Sequence, residues 1–293
     1  MPRLWTFALA LMLVFLAPPV SRSQNSGDTL TEEQIRELIR KSADNDVENT
    51  RRQRDYTYIQ RNEQRQRDRN GKVKKTESRT YEIMVLSGEP AEKLIAKDDK
   101  PLSEKEAKKE DEKIQKLIAK YSKERDSERE KRLARADKET EEDRQFVREI
   151  AQAFRFRLAS METIDGRATY LIDADPIPGY KPKLKDARIL TKLRLKIWID
   201  KADAQWAKLD IECIDTISWG LFLARLHKGS TMHLEQTRVN DEVWLPKHFG
   251  LKASARVVLL KSLNLDIDVT FRDYRKFTAG ATIKPLGEVQ EGR

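Results

Sequence analysis

From residue 154 to residue 271, apolar and polar side chains alternate with a period of two along most of the chain. The last such segment places these apolar residues on one face: Leu263, Leu265, Ile267, Val269 and Phe271. This alternation is typical of β-strands with one buried face and one solvated face. Turn signals such as Asp165-Gly166 separate the segments, which predicts about seven to nine strands in hairpin order. The dry face of such a sheet must pack against other elements.

The N-terminal region predicts a helix and a hairpin. Thr31 is a suitable N-cap with Gln34 three residues later, and the helix that begins there is predicted to end before Asn49. Residues 54–61 and 73–86 are predicted as the two strands of a hairpin. The helix is therefore one candidate for covering the dry face.

A charged block follows at about residues 95–150. Between Ser103 and Gln145 the chain carries 14 acidic and 14 basic residues, with neither glycine nor proline. Apolar residues recur at helical spacing from Ile114 to Tyr121, which gives this part a packing face. We predict an insertion of two helical segments between strands, and these segments are further candidates for covering the dry face. The highly charged stretch within it is either a solvated helix held by ion pairs or disordered.

Together these elements predict an α+β fold. The sheet is expected to be antiparallel, large and curved, an unclosed β-barrel covered by helices, with the charged helical insertion as an addition. A doubly wound parallel fold is excluded because strands and helices do not alternate along the chain. Residues 219–226 interrupt the strand pattern and are predicted as one short helix.

The N-terminus has the parts of a secretory signal peptide. A positively charged start is followed by a largely apolar run from Trp5 to Ala17, which is shorter than the ~20 residues of a membrane span. Small residues precede a cleavage site near Ser23-Gln24. No cysteine follows the run, so a lipid anchor is not expected. The sequence therefore predicts that residues 1–23 are removed and that the mature protein is periplasmic.

The net charge bears on the class of binding partner, and the cysteine content bears on disulfide bonds. The formal net charge is +9. Export argues against nucleic acid and favours a membrane surface with anionic headgroups. A basic surface that only keeps the protein in solution is the simpler alternative. The single cysteine, Cys213, excludes a disulfide within the chain, and we predict that it packs in the core.

Residue patterns that carry catalysis or bind metals do not stand out in the sequence. His227, His233 and His248 lack the spacing of zinc sites, and there is neither a nucleophile elbow nor a Gly-rich phosphate loop. We therefore expect no catalytic residue, no metal, no cofactor and no enzymatic activity. Binding an acyl chain needs no such motif, because apolar area alone supplies ~0.8 kcal/mol per buried methylene.

Three motifs carry a resemblance to a known family. They are Trp198-Ile199-Asp200 before a turn and a strand near Trp206, Trp244-Leu245-Pro246 after a turn, and the closing Phe271-Arg272-Asp273-Tyr274-Arg275-Lys276-Phe277. On these, residues 154–278 resemble the outer-membrane lipoprotein-sorting-protein family, whose members are similar to the periplasmic lipoprotein carrier LolA. The resemblance implies an unclosed antiparallel barrel with helices across its mouth. It also implies an apolar cavity for lipid or for a lipoprotein's acyl chains.

The chain departs from the family in two respects. The insertion is far more charged than the family's lid helices, and the chain is longer than a plain carrier. The family's lid-locking arginine matches no single residue here. The predicted organisation is a signal peptide, residues 1–23, followed by a single LolA-like domain over residues 24–293.

We predict an exported, soluble binding protein for lipid or lipoprotein acyl chains, a monomeric carrier or sensor in the cell envelope. The alternative is a structural or interaction protein that docks an envelope membrane protein through its charged helices. The predicted cavity-lining residues are Leu195, Ile197, Leu209, Ile211, Leu265, Ile267 and Val269, with Trp219, Leu221 and Phe222 at the mouth.

Overall fold

The computed structural model describes residues 30–68, 70–87, 89–219, 224–257 and 263–276. The helices are α1 (Glu32–Gln53), α2 (Glu104–Tyr121), α3 (Asp126–Ala153) and a 3-10 helix (Asp186–Lys192). The strands are β1 (Tyr56–Arg67), β2 (Val73–Leu86), β3 (Glu89–Lys97), β4 (Lys100–Pro101), β5 (Phe154–Ile164), β6 (Arg167–Pro176), β7 (Leu193–Asp200), β8 (Trp206–Cys213), β9 (Ile217–Trp219), β10 (Ala224–Leu226), β11 (Thr231–Val239), β12 (Val243–Val257) and β13 (Leu263–Lys276). The predicted signal peptide lies outside the described residues.

The strands form one antiparallel sheet of 13 strands. Its main order is β4-β3-β2-β1-β13-β12-β11-β8-β7-β6-β5, and the small β9–β10 hairpin attaches to the end of β12. Within the described part of the chain, no ladder joins the edge strands β4 and β5, so the sheet is not closed. The predicted α+β fold with an unclosed antiparallel sheet is therefore confirmed.

The last strand lies in the middle of this order. β13 pairs with β1 from Tyr56 opposite Lys276 to Arg67 opposite Asn264, and its other side pairs with β12. The sheet is thus continuous only because a strand from the C-terminal end of the described chain joins two blocks of earlier strands.

Helix α1 begins where the sequence predicts. The Thr31 hydroxyl accepts from the Gln34 amide, and the Gln34 side chain accepts from the Thr31 amide, which completes a capping box. The helix continues to Gln53, beyond the predicted end before Asn49. Its buried apolar residues, Ile35 and Ile39, pack on the sheet.

The face of the sheet that contacts α1 and α3 is called the inner face here. Beneath these helices, inward side chains of β5–β8 and β11 form one large core cluster with Ile39 of α1 and Ile150 of α3. On the opposite, outer face charged residues pair between strands, as Arg194 does with Glu212 at 2.8 Å. The predicted pattern of one dry and one wet face is confirmed for strands β5–β8 and β11–β13.

Helix α3 runs between the two sides of the open sheet. Near its start, the Arg132 guanidinium donates to the carbonyl of Ser87 and to Glu89 at the β2–β3 turn, and its last residue leads directly into edge strand β5. A 28-residue helix is about 42 Å long. The stretch predicted as either solvated helix or disordered is therefore helical.

Helix α2 corrects part of the prediction. Both insertion helices were expected to be available for the dry face, but α2 packs through Ile114 against Met84 and Ala91. Strand register places Met84 on the outer face, because its neighbour Ile83 shares the inner face with Tyr58. Only α1, α3 and the 3-10 helix therefore contribute to the large core among the described helices.

Three further boundaries differ from prediction. Strand β3 occupies Glu89–Lys97, where no strand is predicted. The helix predicted at residues 219–226 is wrong, because β9 and β10 pair there as a hairpin. Strand β12 is one strand of 15 residues, although the sequence suggests two short strands separated around Pro246 and Gly250. A bulge beside Pro246 accommodates the proline within the ladder.

Candidate functional site

Two rows of apolar side chains cross the inner face from β6 to β13. Row one consists of Ala174, Leu195, Ile211, Met232, Leu251 and Ile267. Row two consists of Ile172, Ile197, Leu209, Leu234, Phe249 and Val269. Because neighbouring strands lie ~4.8 Å apart, each row is about 24 Å long.

The helices cover only part of these rows. From β6 to β11 every member is buried and belongs to the core cluster that also contains residues of α1 and α3. On β12 and β13 most inward residues are only half-buried. These residues, Phe249, Leu251, Ala253, Leu265 and Ile267, are called the open strip here. The apolar surface of the sheet thus extends beyond the core that the helices complete.

The rows end at a wall of amides on β1. Gln64 pairs directly with Ile267 and Gln66 with Leu265, and both glutamines are exposed. Next to them, Gln60 donates to Asn62 at 2.8 Å on the same inner face. These side chains, Gln60, Asn62, Gln64 and Gln66, are called the amide wall here. The open strip is therefore bordered by neutral hydrogen-bonding groups one strand away.

The structure distributes the predicted cavity-lining residues over two environments. Leu195, Ile197, Leu209 and Ile211 are buried members of the core cluster, whereas Leu265 and Ile267 are half-buried in the open strip beside buried Val269. Trp219 ends β9. Leu221 and Phe222 lie outside the described residues. Contact of these residues with a ligand stays a prediction.

Three residues of the open strip, Phe249, Leu251 and Ala253, are missing from the predicted set. Phe249 and Leu251 lie at the centre of β12, between β11 and β13. The alternation of Phe249, Leu251, Ala253 and Ala255 with polar or small residues was the available signal. Gly250 and the preceding proline obscured it, because both residues are depleted in strands.

At the other end of the inner face, a polar cleft of about 250 Å³ opens between α1 and the strand ends. It is lined by Asn45, Glu48, Asn49, Arg52, Asp203, Gln205, Arg238, Glu242 and Trp244. Its charged groups are largely paired with one another, as Arg238 is with Asp203 at 2.9 Å. Trp244 is buried and donates its indole N–H to Asp203 at 2.8 Å. The cleft is a structural seam of hydrogen bonds between helix and sheet.

Asp46 is at the centre of this seam. Its carboxylate accepts from the Trp206 indole at 2.9 Å and from the Gln205 amide at 3.0 Å. Burial raises the pKa of this carboxyl, and the neutral donors, including Gln236, only partly oppose the shift. The amide oxygen of Gln205 is buried without a hydrogen-bond partner among the described residues. Among the described residues, the hydrogen-bond donors to Asp46 are the neutral side chains of Trp206, Gln205 and Gln236, and no cation pairs with it.

The turn between β7 and β8 contains a buried carboxylate that, unlike Asp46, is paired with an arginine. Asp200 is 1% exposed and receives two hydrogen bonds from Arg167, at 2.7 and 2.8 Å. It also accepts from the backbone amides of Ala202 and Asp203. This geometry explains why an aspartate follows Trp198-Ile199 in the sequence.

Cys213 is a candidate nucleophile, and the acidic and histidine side chains are candidate metal ligands. The Cys213 thiol is buried, which raises its pKa to about 12, and it donates to the Asp215 carbonyl. In the part of the chain that the structure describes, no group of three or more His, Cys, Asp or Glu side chains could hold a metal ion. The described helices also include none that is long and apolar enough to cross a membrane.

The outer face has one titratable histidine between two carboxylates. His233 Nδ1 faces Asp210, and His233 Nε2 lies 2.9 Å from Glu235. Burial lowers the pKa of His233, and Lys208 acts in the same direction. The two carboxylates outweigh both effects and raise the pKa above 6.5. The ring of His248 lies 5.5 Å away.

We expect His233→Gln to flatten the dependence of stability on pH above neutrality. Because the folded pKa is raised, His233 contributes stability fully below 6.5, and this contribution is lost as pH rises through the folded value. The expected difference is about 1 kcal/mol. Urea unfolding of both proteins between about pH 6 and pH 9 measures it. Parallel curves for the two proteins would contradict the assignment.

Comparison with known proteins gives similar structures but no sequence match. Neither a family model nor a curated protein matches the chain. A domain named for outer membrane lipoprotein sorting, from Vibrio parahaemolyticus, is 12% identical with a TM-score of 0.32, and the match covers 83% of this chain and 95% of that chain. A LolA superfamily protein from Nitrosomonas europaea is 11% identical with a TM-score of 0.28, over 85% of this chain and 94% of that chain.

A DUF1329 family protein from Desulfovibrio piger is also similar. It is 11% identical with a TM-score of 0.26, over 84% of this chain and 95% of that chain. Two of these three structures are named for lipoprotein sorting or for the LolA superfamily, the families named in the resemblance stated from the sequence.

Proposed function

We propose that the protein binds the acyl chain of a lipid or lipoprotein along the open strip, as a carrier or sensor in the cell envelope. The observation that carries the proposal is the continuation of both apolar rows beyond the helices. Leu251 and Ile267 belong to row one as fully as Ile211 does, but they stay half-buried. Phe249 and Leu251 pack against the core cluster, yet the strip keeps part of its apolar surface exposed, and such surface is typical of an interaction site.

The shape of the strip suits a flexible apolar ligand. From Phe249 to Ala253 it extends about 14 Å along β12, and it is two strands wide. Half-buried leucine, isoleucine and phenylalanine side chains provide contact area without directional groups. Each methylene that leaves water on such a surface contributes ~0.8 kcal/mol before entropic costs.

The amide wall suits the polar part of the same ligand. Exposed Gln64 and Gln66 lie one strand, ~4.8 Å, from Ile267 and Leu265. Amides donate and accept hydrogen bonds without a net charge. They can therefore bind ester or amide groups at the head of an acyl chain. Charged headgroups are not required.

Replacing Leu251 and Ile267 together by glutamine is expected to weaken acyl-chain binding about thirtyfold, since both changes remove apolar contact area from the strip. Titration of the protein with a fluorescent fatty acid measures the affinity. Native mass spectrometry after incubation with a diacyl phospholipid gives an independent readout.

The matched control changes the outward neighbours on the same two strands, Lys252→Gln with Thr270→Gln. We expect it to bind like the unaltered protein. If the unaltered protein takes up no acyl chain, or if the inner and outer variants bind equally, the proposal is wrong.

A further inference from the structure

Helix α2 presents a row of lysines to solvent. The row consists of Lys105, Lys108, Lys109, Lys116 and Lys120, called the lysine stripe here. At 100° per residue, all five lie within an arc of about 120°, and the stripe is about 22 Å long. All five are exposed. Glu112 is the one acidic residue on the same side of the helix.

The opposite side of α2 is fixed to the sheet. Ile114 is 7% exposed and packs against Met84 and Ala91. Because Ile114 lies about 180° from Lys105 on the helix, the stripe faces directly away from the sheet.

The acidic residues of α2 are largely used in holding it to β3. Glu106 pairs with Lys97 and Asp111 with Lys93, each at 2.6 Å. Glu110 accepts from the amide of Leu94 and pairs with Lys113. Within the described residues, none of the five stripe lysines has an ion-pair partner. Helix α2 has five acidic and six basic residues, and packing separates them, so that most acidic residues face the sheet and most lysines face solvent.

We infer that the lysine stripe docks the protein onto a bilayer surface that contains anionic lipid headgroups. Lysine ammonium groups act as mobile point charges, whereas specific pairing with fixed carboxylates favours arginine, and α2 contains no arginine. The stripe lies along the convex surface of a single helix. Several lysines along one line can engage many mobile headgroups at once.

The location of the stripe leaves the acyl-chain site free. α2 packs on the outer face at β2–β3, whereas the open strip lies on the inner face of β12–β13. The docking surface does not depend on the proposed function, since the two sites share no residue.

Changing all five stripe lysines to glutamine is expected to weaken binding to anionic vesicles on the order of 1,000-fold, because each lysine near such a surface contributes somewhat less than a factor of ten. Co-sedimentation with vesicles of phosphatidylcholine mixed with phosphatidylglycerol measures the affinity. Vesicles of phosphatidylcholine alone should not bind the unaltered protein. Raising the salt concentration should release it from the anionic vesicles.

The matched control removes the same charge from scattered exposed positions. It carries glutamine at Lys41, Lys181, Lys185, Lys228 and Lys252. This control should lose far less affinity than the stripe variant, and circular dichroism should show both variants folded. Equal losses would mean that net charge alone acts and would overturn the inference.

Two further outcomes would also overturn it. One is that the unaltered protein ignores phosphatidylglycerol vesicles. The other is that it binds an acidic polypeptide such as polyglutamate, through the stripe, more tightly than the vesicles. The Leu251→Gln, Ile267→Gln variant should keep vesicle binding, and the stripe variant should keep fatty-acid binding. These two variants therefore test the acyl-chain site and the lysine stripe independently.

Discussion

Asp200→Ala is expected to lower the free energy of unfolding by about 3–5 kcal/mol, the usual cost of removing one partner from a buried ion pair. The carboxylate is 1% exposed and receives both Arg167 hydrogen bonds. It also holds the β7–β8 turn through the amides of Ala202 and Asp203. Alanine would leave these four donors without their acceptor.

The same carboxylate gives a pH signature. Burial alone would raise the pKa of Asp200, but the Arg167 guanidinium and the two backbone amides outweigh burial and hold it below 3.8. A lowered folded pKa contributes stability that is present above 3.8 and is lost as pH falls through the folded value. The alanine variant should therefore lose less stability than the unaltered protein on acidification below about pH 4.

Urea unfolding at neutral pH and at acid pH measures both effects. The control is Asp175→Ala, which removes the exposed partner of Arg194 at 2.7 Å. Exposed ion pairs contribute about 0–1 kcal/mol to the free energy of unfolding, so this variant should be only slightly destabilised. If the two variants unfold at similar urea concentrations, the Asp200 turn does not stabilise the fold in the way described.

Asp46 is expected to tolerate replacement by asparagine but not by alanine. Alanine should destabilise the protein by about 2–4 kcal/mol, because the Trp206 and Gln205 donors lose their buried acceptor. Asparagine should leave stability unchanged or raise it by about 1 kcal/mol. It keeps an acceptor oxygen, removes the unpaired charge and can donate to the Gln205 oxygen that lacks a partner.

The pH dependence of this site follows from its raised pKa. Above the folded pKa, the folded state carries a charge that burial disfavours, so stability rises as pH falls through that value toward 3.8. Asp46→Asn should remove this rise. Thermal unfolding of the two proteins across this pH range measures it, with Asp44→Asn on the exposed part of the same helix as control. A rise of the same size in the Asp46→Asn variant would contradict the assignment.

The sheet could be predicted from the sequence because alternation is a local signal. Strand β2 has the predicted limits, Val73 to Leu86, and the inward residues of β7, β8 and β13 were identified correctly as one-sided sets. Proline and glycine hid the continuity of β12, where a bulge compensates for the missing donor. Alternation gives no strand order, so the position of β13 between β1 and β12 could not be predicted.

The polar contacts of α1 explain why its end was predicted too early. Asn45, Asp46 and Asn49 are poor helix formers, and their presence suggested that the helix ends there. In the structure Asn45 donates to the carbonyl of Asp203 at 2.8 Å, and Asn49 accepts from the amide of Trp244 at 3.1 Å. Tertiary hydrogen bonds thus offset the low propensity, which a local pattern cannot reveal.

The candidate site was predicted only in outline. Apolar periodicity identified Leu265 and Ile267, but it could not distinguish them from Leu195 or Ile211, because coverage by helices depends on tertiary packing. The equal numbers of acidic and basic residues in the insertion likewise concealed the lysine stripe. Only the packing of α2 on β3 shows which charges are paired and which face solvent.

The central position of β13 has a consequence for how the chain folds. Without β13, strands β4–β1 and strands β12–β5 would be two separate sheets, and the edges of β1 and β12 that pair with β13 would be unpaired. Joining them requires contacts such as Tyr56 with Lys276, which close a loop of nearly the whole described chain and are slow to form. Assembly therefore becomes cooperative only when the last strand is in place. Until then, both half-sheets expose the edges that promote aggregation.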